Sequence, residues 1–165
     1  MKKTSPGKHV SAKIDEALGG VNTCRICEII AIDMNLYKAD VVPLDDPDAT
    51  PILDVPIAFH QTEHFVIQVP YKVGDIVLVV CAQSDIDPLM FGGGEAASRA
   101  FSENDALIIG GVNYFTKPLE NPHPEDVVIS DKVFKNKIRI QPDGEIFIES
   151  ENQITAVAPT IHFNP

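Results

Sequence analysis

His60, Glu63 and His64, in the stretch AFHQTEHFVI at 58–67, carry the spacing H-x-x-E-H. On a helix that spacing stacks two imidazoles on one face, where they share a zinc ion while the Glu activates a bound water, and the chemistry is peptide hydrolysis. The flanks deny the helix. Ile52 to Phe59 and Phe65 to Pro70 are rich in β-branched and aromatic residues and are broken by Pro56 and Pro70, which a helix interior rejects. On one strand positions 60 and 64 lie about 13 Å apart, too far for one zinc. In a hairpin they face each other only across a turn, with Glu63 in the turn and no assigned task. A hydrolase built on this motif therefore stands only as a third reading.

The other reactive residue types are equally sparse. Cys24 and Cys27 form a lone CxxC inside the strand-like run CRICEIIAID, where residues three apart point to opposite faces, and with Cys81 they read as packing residues. Asp45, Asp46 and Asp48 surround Pro47 without the Gly and distal Glu of a calcium loop, so they read as a solvated turn. Phe91 to Ala97 has the glycines of a phosphate loop, but no Lys-Ser/Thr follows it. His9, His123 and His162 have no recognisable partners, and no Ser sits in a nucleophile elbow. The expectation is no enzyme, no catalytic residue and no bound cofactor.

What must position these residues is mostly β structure. A chain of 165 residues that is 44% hydrophobic fits one domain with an appendage. A net charge of −11 argues against a nucleic-acid partner, whose phosphates call for clustered Lys and Arg. No apolar run suggests a membrane span, and the start KKTSPG lacks a signal-peptide core, so a soluble chain made in the cytoplasm is expected. Val10, Ile14, Ala17 and Leu18 have helical spacing, closed by Gly19 and Gly20. From Cys24 the pattern is extended over 24–32, 37–44, 52–59, 64–69 and 75–82, which predicts a small barrel or sandwich.

After Tyr114 the proline-rich FTKPLENPHPEDVV reads as a connector, and beyond it Ile138 and Ile140, Ile146 and Ile148, Ile154, and Ile161 and Phe163 alternate between short turns. Such strands, with no helix to cover them, cannot bury their apolar face or pair their edges in a monomer. The tail predicts an oligomer whose shared core holds Ile138, Ile140, Ile146, Ile148 and Ile154, with Phe147 and Glu149 turned outward.

The run ILDVPIAFHQTEHFVIQVPYKVGDIVLVVCAQSDIDPLMFGGG, then Arg99 and SENDALIIGGV, resembles the amino-terminal domain of the central spike proteins of contractile phage tails, of the baseplate assembly protein V and Mu-like kind. The landmarks are Asp54-Val55-Pro56-Ile57, Pro70 followed by Val73-Gly74-Asp75, Ser84-Asp85-Ile86-Asp87, the Gly-rich loop, and Asp105-Ala106 before Gly110-Gly111, within residues 21 to 116. The resemblance implies an amino-terminal helical arm (1–20), a small OB-like β-barrel (21–116), a connector (117–134) and an intertwined triple-stranded β-helix (135–165). It further implies a homotrimeric virion protein at the baseplate tip, docked on the hub at the end of the tail tube and piercing the host cell envelope by force. The tail is short and has the single histidine His162, whose three copies supply half the ligands of an octahedral axial metal. The alternative reading is a small cytoplasmic OB-type binding module.

Overall fold

The computed structural model describes residues 10–14 and 19–162. It is mostly β and divides into two compact units, Met1–Val112 and Asn113–Pro165. Of the expected amino-terminal helix, residues 10–14 are helical, while 1–9 and 15–18 lie outside the described residues.

The first unit carries strands β1 (Cys24–Asp33), β2 (Lys38–Pro43), β3 (Ile52–Pro56), β4 (His60–Gln61), β5 (Val66–Ile67), β6 (Ile76–Cys81) and β7 (Ala106–Gly111). Five of them form a sheet in the order β3-β2-β1-β6-β7, with every neighbouring pair antiparallel. Beyond β3, Ile57 bridges Ile108 of β7 in parallel, and Ala58 N donates to Ile108 O at 2.9 Å, so the two edges meet and the sheet curls into a half-barrel. Period-two alternation fills its interior: Cys27 and Ile29 from β1, Ala39 and Val41 from β2, Ile52 and Val55 from β3, Val77 and Val79 from β6, and Ala106 and Ile108 from β7 are all buried.

Two details separate the strands from their sequence pattern. The strands expected over 52–59 and 64–69 shrink to Ile52–Pro56 and Val66–Ile67, because Pro56 and Pro70 have no N–H for a ladder and Asp54 takes a left-handed φ of 56°. Strand β7, by contrast, is absent from the alternation reading, since Ala106 to Gly111 is a mixed apolar run ending in two glycines. The entry to β6 is the expected tight turn. Asp75 N donates to Lys72 O, Lys72 N donates to Asp75 Oδ2, and Gly74 supplies the φ of 90° that the turn needs.

The second unit is a three-stranded antiparallel meander, β8 (Val127–Ser130), β9 (Lys137–Ile140) and β10 (Ile146–Glu149), in the order β10-β9-β8. Strand β8 falls inside the stretch read from the sequence as a connector, 117–134, where proline density hid it. Asp131 accepts from Val133 N, Lys135 N and Asn136 N and from the Asn136 amide, which closes the β8–β9 loop. The Asn136 amide bond in turn is the main reason the Asp131 carboxyl lies below its usual range. The strands expected at Ile154 and Ile161 do not form: among the described residues no strand follows Glu149. Phe163 lies outside the described residues.

Candidate functional site

The register of the meander sorts its side chains into two faces of opposite character. Ile146 sits opposite Ile140 and Ile148 opposite Ile138, while Ile140 also faces Val127 and Ile138 also faces Ile129. Six aliphatic side chains thus share one face. All of them are exposed, Ile146 at 65% and Ile148 at 58%. Ile154, outside any strand, joins Ile129, Ile138 and Ile148 around an open concavity of about 390 Å³ on this face. The structure brings together Ile138, Ile140, Ile146 and Ile148, as the sequence predicts, and adds Val127 and Ile129 from the unrecognised strand.

The opposite face holds Val128, Ser130, Lys137, Arg139, Phe147 and Glu149. Arg139, 8% exposed, is the one buried residue of this unit among those described. Its guanidinium donates from Nη1 to Asp126 at 2.8 Å and lies 4.3 Å from the ring centroid of Phe147, while Nε is buried without a hydrogen-bond partner. Lys137 Nζ reaches Glu149 at 2.7 Å, and that hydrogen bond, ahead of the charges of Lys137 and Arg139, holds the Glu149 carboxyl below its usual range. Phe147, expected simply to point to solvent, is instead the half-buried cover of Arg139.

The first unit holds a second cluster, which sequence reasoning registered only as landmarks. Arg99 Nη2 donates to Asp85 at 2.6 Å, Asp87 at 2.8 Å and Asp105 at 2.9 Å, and its Nε donates to Asp105 at 2.7 Å. Asp105 is fully buried and also accepts from Ile86 N at 2.9 Å, and Asp85 accepts from Asp87 N and Ala97 N. The Arg99 bond is the leading reason that the Asp105 carboxyl sits below its ordinary value, and the same bonds raise Arg99. The three carboxylates offer oxygens within 4.8 Å of one another, a spacing that suits a cation. The guanidinium occupies their point of convergence and supplies that positive charge, so the arrangement is a clamp tying the start of the Gly-rich loop to the foot of β7.

The remaining candidates separate. His60 lies in β4 and pairs with Ile67 rather than with His64, which sits beside Glu63 in the two-residue turn closed by Thr62 N donating to Phe65 O. His162 is exposed and lies in no strand. Asp45 is more than a solvated turn, since it accepts from Arg25 Nη2 at 2.7 Å while Arg25 Nη1 bonds Glu103. Asp46 spends a carboxylate oxygen on Asp48 N. Cys27 is buried, which pushes its thiol up to about 11, and Cys24 points outward from the same strand.

No protein-family model matches the chain, and no curated protein matches it. Among the described residues no helix is long and apolar enough to cross a membrane.

Proposed function

We propose that the chain is a structural protein that works as a homotrimer, the central spike at the tip of a contractile tail or a related injection system, docking on the baseplate hub and piercing a cell envelope mechanically. One observation carries the oligomer: among its described residues the second unit buries no apolar side chain, yet it aligns six on one face of a regular sheet. A three-stranded sheet with such a face is not stable in water alone. Patches above a few hundred Å² mark association surfaces, and seven aliphatic side chains, each about half exposed, reach that size. Three copies packing these faces around a common axis would form a narrow apolar column, the start of an intertwined β-helix.

The half-barrel of the first unit supports the same reading. Its strand order, closed by the parallel Ile57–Ile108 bridge, is that of an OB-like barrel. Oligonucleotide binding, which OB barrels often perform, is opposed by the charge of −11. In this function no residue is catalytic; the side chains of the column carry load. Light scattering tests the proposal. A mass three times the 18.0 kDa of the chain is expected at micromolar concentration, and a monomer there would sink the spike and leave a small OB-type binding module as the better account.

A further inference from the structure

The first unit exposes two apolar features at opposite ends of β6. One is the helical turn Asp87–Met90, which follows β6 and has no buried residue; Leu89 is 81% and Phe91 83% exposed. This turn is held firmly. Leu89 N and Met90 N both donate to Ile86 O, Phe91 N donates to Asp87 O, and Arg99 grips Asp85 and Asp87 at its base. Three successive glycines, Gly92 to Gly94, all at positive φ, turn the chain back at once. Rigid aromatic and aliphatic side chains on a fixed base are what a protein contact uses as an anchor, because little entropy remains to be lost on docking. The other feature is the β4–β5 hairpin and its exit toward the start of β6, where Phe65, Val66, Ile67, Val69 and Val73 are exposed.

The six residues of β6 hold the ends of that strand about 17 Å apart. The peg and the hairpin are thus separate surfaces, suited to a head-to-tail contact between copies, which closes into a ring under rotational symmetry. Their charges agree with this pairing. Residues 82–98 around the peg include Asp85, Asp87 and Glu95 and no Lys, Arg or His, whereas residues 60–74 include His60, His64 and Lys72 against Glu63. Size decides when the contact forms. Taking roughly 100–200 Å² for each large exposed side chain, the peg offers about 400 Å² and the hairpin about 500 Å². Together they fall below the roughly 1,200 Å² of a free-standing interface. Tethering through the second units raises the effective concentration to the millimolar range, where a contact of this size is populated.

We propose that the Leu89–Phe91 peg of one copy seats on the Phe65–Val73 surface of the next, closing three first units into a head-to-tail ring, an inference that rests on the trimer proposed above. The test uses the full chain with Cys24→Ser, to remove the exposed thiol, and adds Leu89→Cys, Ile67→Cys, or both. All three positions are exposed, so the fold is retained. After mass measurement in solution, each protein is treated with a short bismaleimide and run under denaturing conditions. The double variant is expected to give covalent dimers and trimers as major bands, and each single variant to stay monomeric on the gel. A trimer by mass whose double variant does not cross-link overturns the ring alone, as does cross-linking by Leu89→Cys alone, which would mean a symmetric peg-to-peg contact. A monomer by mass overturns the trimer, and the ring with it.

Discussion

Replacing Ile148 by Asp puts a carboxylate at the centre of the apolar face of the meander, beside Ile138 and next to the concavity shared with Ile129 and Ile154. Fully burying an aliphatic side chain is worth about 1.5–3 kcal/mol, and Ile148 is 58% exposed in the single chain, so about 1–2 kcal/mol per chain of association energy is lost with it. Three carboxylates about 10 Å apart around an axis repel by about 1.7 kcal/mol per pair at an effective dielectric constant of ~20. The sum is about 8–11 kcal/mol per trimer before any desolvation, which adds several kcal/mol for each ion kept charged. Covering the seven half-exposed side chains of the face returns about 5–10 kcal/mol per chain, from which the cost of association must be subtracted. The substitution therefore removes a share comparable to the whole net stability of the trimer. Sedimentation velocity at about 10 µM is expected to show Ile148→Asp as monomer and Glu149→Gln, on the opposite face, as trimer. Two trimers, or two monomers, would refute the assignment of the face.

Phe147→Ala uncovers Arg139 and removes a cation–π contact of about 1–2 kcal/mol, so the urea midpoint of the second unit should fall; an unchanged midpoint would remove Phe147 from its role as cover. The Asp105 carboxyl is lowered in the folded chain, so its contribution is complete above the ordinary carboxylate range near pH 4 and is lost as pH falls through the lowered value. Asp105→Asn should already be destabilised at pH 7 and should lose less than the parent chain between pH 5 and 2, and parallel curves would contradict the clamp. At pH 8 a thiol reagent should label Cys24 promptly in the folded protein and Cys27 only after unfolding, since burial raises Cys27 to about 11; equal rates would contradict the buried position of Cys27. Asp126→Leu with Arg139→Met replaces a buried ion pair by apolar volume, which is commonly neutral or stabilising, but here it should yield assemblies larger than the trimer, and a clean trimer would show that the polar face does not direct assembly.

Alternation was enough to read the faces of β9 and β10, because Ile138, Ile140, Ile146 and Ile148 repeat with period two and the turn at Pro142-Asp143-Gly144 fixes their register. It also located β1, β2 and β6, whose buried positions alternate along each strand. It failed at β8, where the prolines before Val127 pull the local composition toward a linker, and pairing with β9 outweighs that signal. The Arg99 clamp left its trace in Asp85, Asp87 and Asp105, but which carboxylates converge on one guanidinium depends on where β6 and β7 end, a long-range fact that no local spacing encodes. Phe147 was assigned to solvent by parity alone. Parity gives the face, and only the Arg139 on that face makes it a covered one.

The meander is inside out as a solitary domain, and the physical reason lies in how many faces an assembly can use. A sheet with two apolar faces has two ways to meet a copy of itself, and the chain would pack in stacks as readily as around an axis. Placing Arg139 with Asp126, and Lys137 with Glu149, on one side closes that side with the chain's own charges. Burying Arg139 with Nε unpaired contributes little to the stability of a single chain and may well reduce it to the benefit of nothing local. Its effect is on choice: charged groups already paired within one chain have no reason to leave their partners for a neighbour, so the side bearing Ile129, Ile138, Ile140, Ile146 and Ile148 is the one surface left to associate. A small closed oligomer follows from one adhesive face per chain, and a rod-like column follows when that face runs along the strands.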